Sequence, residues 1–162
     1  MKNSIINIRS VSVLFILGCI FISLQLMANS NTSDETDQFD VNGPTTAELL
    51  NTYWKLVEMD GEPVVTKPGQ REMKLTLHDE ENKVNGFGGC NSFFGTYTHD
   101  ASKLKFGPLA ATRMYCADEM DKESQFFKLL SEVESYTITR QILHLNDDQG
   151  KQVLKLQAVY LK

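Results

Sequence analysis

Hydrophobic and polar residues alternate in short runs along most of the chain beyond residue 50. Residues 73–78 read Met-Lys-Leu-Thr-Leu-His, with an apolar side chain at every second position. Successive side chains of a β-strand point to opposite faces of a sheet, so this period predicts short strands with one buried face. Runs of similar character lie at 54–59, 93–98, 104–106, 136–139, 143–145 and 154–158.

Turn residues separate these runs. Asp60-Gly61 directly follows the first run and is a strong signal for a two-residue hairpin. Residues 79–82 and 147–150 are polar and lie between apolar runs. Short turns join strands that lie side by side, so the sheet is predicted to be antiparallel.

One segment departs from the strand period. Residues 117–133 contain neither Gly nor Pro and place apolar residues at roughly helical intervals. Asp118 is predicted to cap the start of this helix. The apolar positions are Met120, Phe126, Phe127, Leu130 and Val133. The prediction is therefore an α+β fold: a single domain with a strongly curved antiparallel sheet and one main α-helix.

The first thirty residues differ in composition from the rest. Two basic residues precede a nearly unbroken apolar run at 11–26, and Ala28 and Ser30 supply small residues after it. This order is typical of a secretory signal peptide. Two alternatives remain open: lipidation of Cys19 in a lipobox-like Leu-Gly-Cys, or retention of the apolar run as a membrane anchor. All three interpretations of the N-terminus predict that the domain is exported. The protein is then expected in the periplasm or secreted, or alternatively anchored to a membrane as an outer membrane lipoprotein.

Residues 31–46 contain four acidic residues and no basic one, so they are predicted to form a flexible acidic tether before a domain at 47–162. The whole chain has a formal net charge of −5, and no basic stripe interrupts it. Nucleic acids and anionic lipid surfaces are therefore not expected as partners. Membrane contact is expected only through the N-terminal segment, if that segment stays uncleaved or is lipidated.

A glycine-rich stretch at 85–97 reads NGFGGCNSFFGTY and raises the question of a phosphate-binding loop. Such a loop leads into a helix, whereas this one leads into an aromatic, strand-like segment without a Gly-Lys-Ser/Thr sequence. No phosphate-binding cofactor is therefore expected. Glycines inside a sheet mark bulges, sharp bends or close approach of the backbone, and Asn91 suits a turn.

The cysteines permit two interpretations. In an oxidising compartment, Cys90 and Cys116 suggest one disulfide. Alternatively, Cys90 is a nucleophile that needs a histidine close in space, although no spacing places one there. The histidines are His78, His99 and His144. They lack the close pair spacing of zinc sites, so no metal site and no catalytic set is predicted.

Arg113 lies in the segment before Cys116 and also has two readings. In the first, Arg113 contacts an anion or a partner's carboxylate. In the second, it forms an internal salt bridge or hydrogen bonds to loop carbonyls, and this internal role is the commoner one for arginine. Arg113 and Asn91 are the candidate partner contacts.

Two ordered motifs resemble the signature of the META domain family, which includes bacterial heat-shock-type envelope lipoproteins. The first is Gly-Phe-Gly-Gly-Cys-Asn-Ser-Phe-Phe-Gly-Thr-Tyr at 86–97. The second is Leu-Ala-Ala-Thr-Arg-Met at 109–114, followed by Cys116. The Trp-Lys-Leu at 54–56, with Asp-Gly at 60–61, is also similar to the family's opening.

The resemblance implies a small curved antiparallel sheet with a helix, in an envelope or secreted protein. It implies a disulfide between Cys90 and Cys116, structural glycines and no established enzyme activity. It further suggests a binding or maintenance role linked to stress tolerance, with an unknown envelope protein or small ligand as partner. Two other functions remain open: an inhibitor-like protein acting on a secreted enzyme, and a thiol-dependent enzyme centred on Cys90.

Overall fold

The computed structural model describes residues 45–160, and in this part of the chain it has nine β-strands, one α-helix and one short 3-10 helix. The predicted α+β class is confirmed. The strands are β1 (Tyr53–Met59), β2 (Glu62–Pro63), β3 (Lys74–Leu77), β4 (Lys83–Phe87), β5 (Ser92–Asp100), β6 (Lys103–Ala111), β7 (Ser135–Thr139), β8 (Ile142–Asn146) and β9 (Gln152–Val159). The α-helix α1 spans Met120–Glu132, and the 3-10 helix spans Glu80–Asn82.

The sheet is curved so strongly that it closes on itself. All neighbouring strands are antiparallel, and β3 to β9 follow one another in chain order. β1 pairs with β3 on one side and with β9 on the other, where Tyr53 lies opposite Val159. β6 and β7 pair only through Lys103 and Ser135, and the chain between these two strands contains α1. The pairing of β1 with β9 closes the sheet into a barrel-like ring of strands.

The predicted Asp-Gly hairpin is confirmed between β1 and β2. Met59 lies opposite Glu62, so Asp60 and Gly61 form a two-residue loop. Their φ angles are +50° and +86°, as a type I′ turn requires. Asp and Gly tolerate this left-handed conformation better than most residues do.

One hydrophobic core fills the space between the sheet and α1. The alternating apolar residues of the strands point inward, and Phe126 and Leu130 of α1 are completely buried among them. Trp54 is also fully buried, and its indole Nε1–H donates to the Leu49 carbonyl oxygen (3.0 Å). The sequence periods therefore identified the buried faces correctly.

The helix begins later than predicted, and the proposed cap is wrong. Glu119, not Asp118, occupies the N-cap position, and it makes no side-chain capping bond. The Glu119 N–H donates to the Cys116 carbonyl oxygen (3.0 Å), so residues 116–119 form a separate turn. Asp118 lies inside this turn and is exposed.

Several predictions concern residues outside the described range. The signal peptide or anchor at 1–30, Cys19 and most of the tether at 31–46 belong to this group. Among residues 45–160, no helix is long and apolar enough to cross a membrane.

Candidate functional site

A short loop between β6 and α1 is fixed at its base and exposed at its tip. We call residues 112–116 the anchored loop. It follows β6 and ends at Cys116, where the turn into α1 begins. A disulfide and one asparagine amide hold its base, and a buried carboxylate holds the segment that carries both of them.

The first contact is the disulfide between Cys90 and Cys116. The two Sγ atoms are bonded at 2.03 Å, and the Cα atoms are 5.7 Å apart. Cys90 is buried, at 4% exposure, in the segment between β4 and β5. The bond ties the end of the anchored loop to this segment, as the sequence suggested.

The second contact is the side-chain amide of Asn91. Its Oδ1 accepts hydrogen bonds from the Thr112 hydroxyl (2.8 Å) and the Met114 N–H (2.7 Å). Its Nδ2 donates to the Met114 carbonyl oxygen (3.2 Å) and to Glu123 Oε1 (2.7 Å). Asn91 is only 3% exposed. The prediction that Asn91 contacts a partner is therefore wrong, because its amide is buried and already bonded within the protein.

The third contact is indirect. The carboxylate of Glu123 on α1, which is 4% exposed, binds the segment that holds the loop. Its Oε2 accepts from the backbone N–H groups of Cys90 (3.0 Å) and Asn91 (2.6 Å). Together with the Asn91 amide, three donors satisfy this buried charge. Gly88 leaves room for it, since a β-carbon at that position would lie 3.0 Å from Glu123 Oε2.

Sequence reasoning missed Glu123. Its signal was present, because Glu123 lies three residues from both Met120 and Phe126 and therefore shares the apolar side of the predicted helix. A carboxylate at such a position needs donors from another segment. The backbone N–H groups of Cys90 and Asn91, in the glycine-rich segment, supply two of these donors.

The tip of the anchored loop has the opposite character. Met114 is 63% exposed and Tyr115 is 83% exposed. Arg113 is exposed, and its side chain makes no ion pair or hydrogen bond with any residue of the 45–160 range. Neither the internal salt bridge nor the bonds to loop carbonyls expected for Arg113 are present among residues 45–160, where Asn91 and the disulfide hold the loop instead.

The three histidines that were considered as a base for Cys90 do not lie together around it. His78 accepts from Asn85 on β4, His144 bonds Gln152 on β9, and the His99 ring lies against Tyr97. Cys90 is oxidised, so it carries no thiol in this state. In the described part of the chain, no group of His, Cys, Asp and Glu side chains is arranged to hold a metal ion.

A second candidate site is an open groove of about 800 Å³ on the outer side of β4 and β5, beside the 3-10 helix. We call it the outer groove. Its polar lining includes His78, Asn85 and Thr96, and its aromatic residue is Phe94, which is 63% exposed. Tyr97 supports it from inside by donating to the His78 carbonyl oxygen (2.7 Å), and burial raises the pKa of this tyrosine.

Comparison with known proteins identifies the domain that carries these features. The META domain family model matches residues 47–160. The chain belongs to the META domain family. This match includes the whole anchored loop and all nine strands.

Two solved structures are similar to this META domain. An NMR structure of a protein from Burkholderia xenovorans has a TM-score of 0.57 and 24% identity, covering 78% of this chain and 97% of that chain. A second NMR structure has a TM-score of 0.53 and 23% identity, covering 67% and 90%. Such identities support the fold alone. A comparison with curated protein sequences found no match.

The motif glycines of this META domain have structural roles. A β-carbon at Gly86 would overlap the Lys74 carbonyl oxygen and the Phe93 ring. At Gly95 it would lie 2.7 Å from both the Pro108 carbonyl oxygen and Leu109 Cδ2, beside an irregularity in the β5–β6 register. The predicted close approach and bulge are therefore confirmed.

Proposed function

We propose that this META domain is an exported, non-enzymatic envelope protein that binds another protein through the tip of its anchored loop. The observation that carries the proposal is the contrast within one loop. Its backbone is held by Asn91 and Cys90, while Arg113, Met114 and Tyr115 are exposed. A maintenance role under stress agrees with a stable binding module of this kind.

The fixed base favours binding because it lowers the entropy lost when the loop is ordered by a partner. Tyrosine, methionine and arginine are enriched at the buried centres of protein interfaces. A tip that carries all three in consecutive positions therefore offers a compact set of contact residues.

The charge of the tip indicates what the partner presents. Arg113 has no acidic partner in the described chain, so its guanidinium is available for a bidentate bond. The expected partner surface combines an apolar pocket for Tyr115 with a carboxylate for Arg113.

Export is supported by the chemistry of the cysteines and the N-terminus. Disulfides persist in oxidising compartments, and Cys90–Cys116 joins two segments of the domain. The apolar run at 11–26 has the length and flanks of an export signal.

The test is site-specific photo-crosslinking in intact cells. A photoreactive phenylalanine at position 115 should form a discrete adduct, and the same group at Thr98, exposed on β5, should not. The captured protein is then purified, and Tyr115→Ala should weaken its binding by about 30-fold. Equal adducts from both positions, or equal affinity of the variant, would reject the loop as the binding site.

The same loop supports a second candidate, an inhibitor of a secreted enzyme. A loop fixed at both ends can occupy a cleft without changing its conformation. Titration of secreted hydrolases with the purified protein should then abolish the activity of one of them. Unchanged activity of every hydrolase would leave the envelope-binding role as the better account.

A further inference from the structure

The outer groove is a second surface with its own chemistry, separate from the anchored loop. It lies over the outer faces of β4 and β5 and is open to solvent. Phe94 lies opposite Asn85 on β4 and Ala110 on β6. Because the neighbour on the β6 side is only an alanine, the Phe94 ring stays 63% exposed. Within residues 45–160, no other ring and no cation stacks on it.

Polar groups surround this ring at the level of the sheet. Asn85 Nδ2 donates to His78 Nε2 (2.9 Å), which makes that imidazole nitrogen an acceptor. The Asn85 amide oxygen and the Thr96 hydroxyl have no hydrogen-bond partner among the described residues. The groove therefore offers both donors and acceptors beside an uncovered aromatic face.

The charges of the groove exclude an anionic ligand. Lys83 is already paired with Glu81, and hydrogen bonding within this pair raises the pKa of the lysine. Asp79 and Glu80 remain unpaired at the rim. A phosphate or carboxylate would meet net negative charge here.

Backbone pairing argues against an extended peptide. β3, β4 and β5 each have a hydrogen-bonded neighbour on both sides. No row of free backbone groups remains along the groove, so strand addition is not available. A purely apolar ligand is also a poor fit, because it would cover the Asn85 amide oxygen and the Thr96 hydroxyl without bonding them.

We infer that the outer groove binds a neutral saccharide. One face of a pyranose ring presents C–H groups with slight positive charge, which suit the negative face of the Phe94 ring. Its hydroxyls both donate and accept, so they can bond the Asn85 amide oxygen and the Thr96 hydroxyl. An open groove leaves the remaining hydroxyls in water, so only one side of the sugar loses its hydration.

The experiment is an NMR titration of the purified, isotopically labelled protein with two neutral probes, an N-acetylglucosamine trimer and a glucose trimer. At least one probe should shift the amide signals of Asn85, Phe94 and Thr96 in a saturable manner. Phe94→Ala should weaken that affinity by about tenfold, as expected for an aromatic contact. Phe94→Tyr should retain it, because the ring face is unchanged.

Thr98→Ala is the matched control, since Thr98 is exposed on the same strand but does not line the groove. It should leave the affinity unchanged. Asn85→Ala is a second groove variant and should also weaken binding. Absence of saturable shifts up to about 10 mM of either probe would overturn the inference. Full saccharide affinity in Phe94→Ala would also overturn it. So would binding of spermidine, a cation that suits the net negative charge of the groove, without any binding of saccharide.

Discussion

The base of the anchored loop, with the buried residues that hold it, lies beside the exposed tip and has the opposite physical character. At the base, Asn91 and Glu123 are 3% and 4% exposed, and their polar atoms are bonded within the protein. At the tip, Tyr115 is 83% exposed and Arg113 makes no internal bond in the described chain. The residues that hold the loop therefore differ from those proposed to contact a partner.

The strongest test of the base is Glu123→Ala. The substitution leaves the backbone N–H groups of Cys90 and Asn91 buried without an acceptor. We expect the free energy of unfolding to fall by about 3 to 5 kcal/mol, measured by urea denaturation. Glu132→Ala on the same helix is the control, because Glu132 is exposed and its 3.7 Å ion pair with Lys128 contributes at most about 0.5 kcal/mol.

Glu123→Gln refines this test. The amide keeps the shape of the side chain but turns one acceptor into a donor that faces another donor. Its cost should lie between that of Glu123→Ala and wild type. If both variants are as stable as wild type, the buried carboxylate does not hold the base.

Removal of the disulfide should have the next largest effect. Cys90 and Cys116 are 26 residues apart, and the chain-entropy model assigns such a crosslink about 3 to 4 kcal/mol. The Cys90→Ala/Cys116→Ala variant should lose this amount. Wild type should lose a similar amount in dithiothreitol, and the variant should be insensitive to the reductant. A variant as stable as oxidised wild type would contradict the anchoring role.

Asn91→Ala should cost slightly less, about 2 to 3 kcal/mol, because the lost amide leaves the Met114 N–H and the Thr112 hydroxyl without their partner. Hydrogen exchange at the Met114 amide should accelerate at the same time. Asn85→Ala is the matched control, because Asn85 is exposed on β4. Unchanged protection at Met114 would show that the disulfide alone fixes the loop.

The smallest effect on stability is expected at the tip. Tyr115→Ala and Arg113→Ala should change the free energy of unfolding by less than about 0.5 kcal/mol, since neither side chain is packed into the core. The same urea titration checks both. If either substitution lowered the free energy of unfolding by more than about 1 kcal/mol, as expected for a packed residue, the tip would also contribute to stability and would not differ from the base.

The strands and the helix could be predicted because their signals are local. Apolar and polar side chains alternate at residues 73–78, and apolar residues recur at helical intervals in α1. Each buried face can therefore be predicted from residues that are close in sequence. The Asp118 cap was wrong because the competing turn depends on Cys116, which precedes the predicted helix. The residue pattern of the helix does not by itself show whether its first turn or a separate turn lies at residues 116–119.

The contacts of the candidate site were harder to foresee because they join distant segments. Glu123 lies 33 residues from Cys90, and no spacing rule relates a helix carboxylate to backbone groups of a loop. The sequence predicts a turn at Asn91, but the burial of its side chain depends on the return of the chain at Met114. The cysteine pair was accessible because only two candidates remained in the domain.

The pairing of the first strand with the last has a consequence for the order of folding. β1 is complete by Met59, yet its second neighbour, β9, begins only at Gln152. Until that strand arrives, β1 offers an unpaired row of backbone groups to any other chain. Because this pairing joins distant parts of the chain, we expect the domain to fold slowly and its partly folded forms to be prone to aggregation.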